Sequence, residues 1–134
     1  MALMKIGSKV IGDGLDALMF AEEGQANQGD INIAINMNKI AADSGADGIE
    51  FQLFLADDMY IRNDPGYQIY KNRELSASQI RELISTCHSE GLICQVAGLS
   101  PKIIELSADA GADIFCVNAT DLNNPYIINA VAST

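Results

Sequence analysis

The chain has 134 residues, 49% of them hydrophobic, no Trp and a formal net charge of −10. That length makes a single domain spanning residues 1–134, with a core of Ile, Leu, Val, Met and Ala. Only 8 basic residues are present, so the clustered Lys and Arg that nucleic acid and anionic membranes demand cannot form, and both are excluded as partners.

The first element read along the chain is a small hairpin over Lys5–Gly12, turning at Gly7-Ser8. Ala17–Glu22 is the first core strand. Asp30 caps a helix that runs to about Ser44, with Ile31, Ala34, Ile35, Asn38 and Ala42 near helical spacing. Gly48–Phe54 is the second strand. The following stretch, Leu55–Leu75, exceeds an ordinary strand-to-helix connection. Its Tyr60, Tyr67 and Tyr70 with Arg62, Lys71 and Arg73 suit a functional or partner-ordered segment as well as a solvated loop. Ser76-Ala77-Ser78-Gln79 fits a capping box and opens a helix that carries Ile80, Leu83, Ile84 and Cys87 on one face. Leu92–Ala97 is the third strand, Pro101 sits in the first turn of the next helix, Asp113–Asn118 is the fourth strand, and Pro125 opens the last helix.

A short repeat ties these elements together. Ala41-Ala42-Asp43-Ser44-Gly45-Ala46-Asp47 recurs as Ser107-Ala108-Asp109-Ala110-Gly111-Ala112-Asp113, with a looser copy at Cys87–Leu92. Each places a Gly where a helix ends, at a position that favours positive φ, and each is followed directly by an apolar strand. Helix, Gly, strand, repeated, predicts an α/β fold of parallel βα units.

Alternation then sorts the strand residues. In Gly48–Phe54, Ile49, Phe51 and Leu53 share one face, Glu50 and Gln52 the other. Ligands of parallel sheets sit beyond the carboxyl ends of the strands. There the chain offers Glu22 and Glu23, then Glu50 and Gln52, then Gln95, then Cys116, Asn118 and Asp121. Polar residues on one face of several strands at one end fit the mouth of a barrel. The alternative is a buried set whose members satisfy one another or bind water.

Other motifs carry less. Gly24–Asp30 leads into a helix N-terminus but lacks Lys and matches neither a Walker loop nor a dinucleotide fingerprint. His88 is the only histidine; on a helix's last turn it complements the dipole. One His with the separated Cys87, Cys94 and Cys116 makes no zinc site and no nucleophile–His pair, and three such cysteines read as reduced, small apolar residues rather than a disulfide framework. Met1–Gly7 has no leader pattern and no segment reaches the ~20 apolar residues of a membrane span, so a cytoplasmic location is expected.

The same residues carry a family resemblance. Ala21–Asp30, reading Ala-Glu-Glu-Gly-Gln-Ala-Asn-Gln-Gly-Asp, resembles the Ala-Glu-Ile-Gly-x-Asn-His-Asn-Gly-Asp signature of the N-acetylneuraminate (sialic acid) synthase family. Ser44–Gln52 resembles its Ala-Gly-Ala-Asp-Ala-Val-Lys-Phe-Gln. Glu74-Leu75-Ser76 through Gly91-Leu92 and Phe115–Asp121 match later family segments in order. The resemblance implies the first four units of a (β/α)8 TIM-type barrel, half or truncated, with a hairpin closing its bottom. It implies condensation of phosphoenolpyruvate with an N-acetylated amino sugar, assisted by a divalent Mn or Mg ion acting as a Lewis acid. The family's ligands to that ion come from later strands, so this chain is expected to supply none.

Departures from the pattern concentrate on anion binding. Where the family has phosphoenolpyruvate-binding Lys on the second and fourth strands, this chain has Glu50 and Cys116; Ala97 and Ala119 replace a Thr and a Ser, and Asn27 replaces a His. Carried over residue by residue, Glu22 is the candidate catalytic group. Glu50, Gln52, Gln95, Asn118, Asp121 and Asn27 are the candidate contacts to a sugar-like ligand. The expected function is that of a divergent or truncated synthase-like protein, impaired or inactive alone. The alternative is a non-catalytic small-molecule binding or interaction protein. An aldolase-type barrel is disfavoured because no Lys lies inside a strand to form a Schiff base. A half-barrel leaves open strand edges, which predicts either a homo-oligomer or association with the remainder of a barrel.

Overall fold

The computed structural model describes residues 3–134; Met1 and Ala2, at the start of the leader reading, lie outside the described residues. A hairpin of β1 (Leu3–Ile6) and β2 (Lys9–Gly12) precedes the main sheet. Then follow β3 (Phe20–Gly24), α1 (Ile31–Asp43), β4 (Gly48–Leu53), the short helices α2 (Ala56–Met59) and α3 (Pro65–Lys71), α4 (Ala77–Ser89), β5 (Ile93–Gly98), α5 (Pro101–Asp109), β6 (Ile114–Phe115), a 3-10 turn at Ala119–Asp121 and α6 (Pro125–Ala132). The four later strands form one parallel sheet in the order β3-β4-β5-β6. This is the predicted α/β half of a TIM-type barrel: consecutive parallel strands, each followed by a helix, and a hairpin before them.

The repeat explains how the units join. Gly45, Gly91 and Gly111 have φ of +81°, +78° and +94°. The residue after each returns its N–H to a carbonyl five back: Ala46 to Ala41, Leu92 to Cys87, Ala112 to Ser107. This is the Schellman closure of a helix. The aspartates two residues beyond two of these glycines then stitch the next strand to its neighbour. Asp47 donates its N–H to Met19 O and accepts from Met19 N at 2.9 Å, while Asp113 donates to Cys94 O and accepts from Cys94 N at 2.8 Å. Gly-Ala-Asp is therefore a joint used twice, ending a helix and anchoring the start of the preceding strand in one motion.

The core lies between the sheet and the helices. Ile49, Phe51 and Leu53 of β4 and Cys94 and Val96 of β5 meet Ala34 and Ala41 of α1, Ile80, Leu83, Ile84 and Cys87 of α4, and Ile103 of α5. Burying each such aliphatic or aromatic side chain is worth about 1.5–3 kcal/mol. The caps fall where the sequence puts them. Asp30, Ser76 and Ser100 accept from the first-turn N–H groups of α1, α4 and α5, and Ser76 with Gln79 forms the complete capping box.

Several boundaries differ from the sequence expectation. The first core strand begins at Phe20, not Ala17, because its partner β4 begins at Gly48, opposite Phe20, and earlier residues have no ladder to join. It also runs on to Gly24, past a bulge between Glu22 and Gly24. The fourth strand keeps only Ile114 and Phe115 of the expected 113–118, since β5 pairs it through Gln95 and Val96 alone. The 55–75 segment is not a solvated loop. It folds as α2 and α3, with Phe54, Tyr70 and Tyr60 in an aromatic row (centroids 5.4 and 4.8 Å apart). Lys71 bridges Asp57 at 3.1 Å and Glu74 at 2.9 Å. Arg62 and Lys71 are thus paired within the segment, and the Lys71 ammonium is held well above its ordinary range by those two carboxylates, Glu74 first.

Candidate functional site

The register brings Glu22, Glu50 and Gln95 level with one another on three adjacent strands. Neighbouring strands lie about 4.8 Å apart, so the three side chains form one row across the face opposite the helices. Gln95 Nε2 donates to Glu50 Oε2. One step nearer the mouth, Gln52 Nε2 lies 3.5 Å from Glu22 Oε1. Each carboxylate of the row thus has an amide from a neighbouring strand. Cys116, just past β6, lies two residues beyond the Gln95 partner Ile114, on the mouth side of the row. Its thiol is pushed up by burial first, then by the charge of Glu50 and a hydrogen bond to it, and by the charge of Glu22. Held as a thiol between two acids, Cys116 is a weak nucleophile at neutral pH.

Two other candidates flank the row. Asn118 has its Nδ2 shielded from solvent without a partner among the described residues. Asp121, in the 3-10 turn, accepts from Asn124 Nδ2 at 3.0 Å and so ties the turn to the first residue before α6. The structure therefore gathers Glu22, Glu50, Gln52, Gln95 and Cys116 into one constellation, with Asn118 and Asp121 at its β6 side.

Glu23 and Asn27 are corrected. Alternation along β3 puts Glu23 on the face opposite Glu22, the helix side, where it is buried (7% exposed) rather than in the mouth. Burial pushes its carboxyl above the usual range, against the opposing effect of bonds from Asn27. Asn27 N and Nδ2 both donate to Glu23 Oε1, at 2.7 and 2.9 Å, and Asn27 Oδ1 accepts from Gly29 N at 2.7 Å. Every polar end of Asn27 is committed to shaping the 24–30 loop, so it is a positioning residue and not a free contact. The signature loop acts through its shape. A Cβ at Gly29 would come 2.7 Å from Arg73 Cα. That close approach docks the loop on the chain just before α4 and brings Arg73 into a small cleft with Gln25, Asn27 and Gln52. Sequence reasoning placed Arg73 only in the long connection. The signal that could have found it is Gly29, whose position requires a backbone neighbour.

The divalent ion that the resemblance implies can be tested on the donors present. Glu22 and Glu50 are bonded to amides and flanked by a thiol. Among the described residues no three His, Cys, Asp or Glu side chains converge to hold a metal ion. These donors do not fit the ion by themselves, and no chemistry of this chain is routed through it. His88 is exposed on α4, with Nε2 2.9 Å from Asp113 Oδ2. Among the described residues no helix is long and apolar enough to cross a membrane.

Comparison with known proteins places this geometry. The chain is 32% identical over 126 residues to the N,N'-diacetyllegionaminic acid synthase of Campylobacter jejuni, covering 82% of this chain and 37% of that one. It is 28% identical over 148 residues to the spore coat polysaccharide biosynthesis protein SpsE of Bacillus subtilis, covering 98% and 38%. In fold it matches the crystal structure of N-acetylneuraminic acid synthetase from Leptospira borgpetersenii in complex with citrate, with TM-score 0.89 and 21% identity, over 98% of this chain and 46% of that one. The chain thus spans less than half the length of each of these relatives. The model of the NeuB family matches residues 37–134. With its βα order, its signature loop and this match over most of its length, the chain belongs to the NeuB family, a family of sialic acid synthases.

Proposed function

We propose that the mouth of this half-barrel binds an uncharged, sugar-like molecule, such as an N-acetylated amino sugar, and does not hold phosphoenolpyruvate. The observation that carries this reading is the row Glu22–Glu50–Gln95 with Cys116. A carboxylate and a neutral thiol stand where the family resemblance calls for lysines, and a polyanion entering such a row meets repulsion instead of neutralisation. Carboxylates and carboxamides side by side are, in contrast, the groups that read hydroxyl and acetamido patterns, because together they offer both acceptors and donors. Glu22 and Gln52 are the direct contacts in this reading, with Glu50 and Gln95 behind them and Asp121 from the β6 side. The condensation of a sugar with phosphoenolpyruvate that the family resemblance implies is, in this reading, not carried out by this chain alone.

The test is calorimetric titration of phosphoenolpyruvate, with manganese present, and separately of N-acetylmannosamine, into the 134-residue chain. The expected result is no heat from phosphoenolpyruvate and measurable binding of the sugar. Phosphoenolpyruvate binding tighter than about 100 μM, roughly −5.5 kcal/mol, would overturn the reading. If Arg73→Ala then abolished that binding, Arg73 would be the group that replaces the lysines. A chain that binds neither ligand would favour the second reading, an interaction module whose polar face serves a protein partner.

A further inference from the structure

Glu23 is a buried acid that the mouth does not use. Its two oxygens have unequal surroundings. Oε1 accepts from both Asn27 N and Asn27 Nδ2. Oε2 is closed off from solvent by the chain's own atoms and has no partner among the described residues. Where the family signature has Ile and His, this chain has Glu23 and Asn27, and the two are bonded to each other.

The neighbours supply no counter-charge. Met37, Ile40, Ala41 and Ser44 of α1 lie around Glu23, as do Ala46 and Ile49 at the start of β4, and none of them titrates. Glu22 faces the other side of β3. Lys39 and Asp43 are exposed, on the side of α1 away from Met37 and Ala41. No charged side chain acts on the carboxyl; burial raises its pKa, and the two bonds from Asn27 offset this only in part.

From Asn27 the contacts continue outward. Asn27 Oδ1 accepts from Gly29 N. Gly29 lies against residues 72–73 so closely that a Cβ there would stand 2.7 Å from Arg73 Cα and 2.8 Å from Asn72 O. Gly29, Arg73 and Gln52 border one small cleft beside the mouth. Glu23 is thus the inner end of a chain of contacts running through Asn27 and Gly29 to Arg73.

We propose that Glu23 is a proton-operated clasp of the 24–30 loop: protonated, it holds the loop docked on residues 72–73 beside Gln52, and ionised, it releases the loop. The reason lies in Oε2. A neutral carboxyl carries its proton on Oε2 and keeps Oε1 as the carbonyl oxygen that both N–H groups of Asn27 need. A carboxylate leaves Oε2 with neither water nor donor, a costly state for a charged group. Relief comes when the side chain reaches water, and that breaks both bonds to Asn27. A surface loop opens in this way without the sheet unfolding. The closed loop keeps the proton to higher pH than the open one, whose carboxyl has its ordinary value of 4.5. Closure is therefore complete below that value. It weakens by at most about tenfold per pH unit as the pH rises to the closed-loop value, and no further beyond it. The clasp shapes the wall beside Gln52 and stands whichever ligand the mouth takes.

Amide hydrogen exchange of the 134-residue chain tests it, followed by NMR from below pH 4.5 to neutral pH and corrected for the intrinsic rate at each pH. The amides of Asn27, Gly29 and Asp30 are expected to lose protection as the pH rises, and at neutral pH to be less protected than Phe51 in β4. Glu23→Gln keeps an acceptor for Asn27 and cannot ionise, so it is expected to hold their protection level with pH. Glu23→Ala keeps no acceptor and is expected to leave them weakly protected at every pH. Three outcomes would each overturn the proposal. One is loop protection in the parent that does not change with pH. Another is a Glu23→Gln chain that still loses it. The third is loop protection equal to that of Phe51 at neutral pH, which would mean that the loop opens only when the whole chain unfolds.

Discussion

At the scale of single residues, two acids stand in different surroundings, Glu50 in the polar row and Glu23 buried on the helix side. Glu50 is met by Gln95 and raises the thiol beside it, so neutralising Glu50 relieves part of that effect. Glu50→Gln is therefore expected to speed alkylation of Cys116 at pH 7 several-fold, read as the rate of iodoacetamide labelling of that cysteine. An unchanged rate would mean that burial and the charge of Glu22 control the thiol. Glu23 carries the other consequence. Its carboxyl is raised by burial, so the folded chain holds that proton to higher pH than the unfolded chain does. The stability it contributes is complete below its ordinary value of 4.5 and is lost as the pH rises through the folded value. Urea unfolding of the parent should show this fall in midpoint above pH 4.5. Glu23→Gln should flatten it, because Gln keeps an acceptor for Asn27 and cannot ionise.

At the scale of elements, small residues decide whether neighbours fit. A Cβ on Gly48 would come 2.3 Å from Phe20 Cε1 and 2.6 Å from Ile93 O. The backbone oxygen cannot move aside cheaply, so Gly48→Ala is expected to cost about 1–3 kcal/mol, an overpacking penalty, seen as a lower urea midpoint. The Gly-Ala-Asp joint predicts a second loss. Asp113→Ala strands the N–H of Cys94 at the start of β5 and frees His88, for about 1–3 kcal/mol. The capping box at Ser76 and Gln79 predicts a third: Ser76→Ala should cost about 1 kcal/mol and fray the first turn of α4.

At the scale of the whole molecule, a net charge of −10 sets carboxylates against one another, Glu22 and Glu50 on adjacent strands among them. Added salt screens such charges over a length of about 10 Å at 0.1 M. Raising ionic strength is therefore expected to raise the urea midpoint of the chain, read by circular dichroism at low and high salt. Glu22→Gln with Glu50→Gln is expected to reduce that salt dependence.

Much of this was legible in the sequence, for a physical reason. Helix caps, C-terminal glycines and strand alternation are local preferences, set within a few residues. Asp30, Ser76, Pro101, Pro125, Gly45 and Gly111 therefore marked their elements, and Glu50 could be assigned to the face opposite Ile49 and Phe51. The Gly-Ala-Asp repeat implied parallel units and through them the barrel half. The tertiary structure alone decided what depends on register and on neighbours distant in the chain. The bulge between Glu22 and Gly24 appears only where β3 pairs with β4, and β6 is short because it pairs with β5 through Gln95 and Val96 alone. The folding of residues 55–75 over Phe54 rests on Lys71 reaching both Asp57 and Glu74. The level row of Glu22, Glu50 and Gln95 exists only once three strands align. Local sequence sets which way a side chain faces along its own strand, but which side chain stands beside it is a property of the sheet.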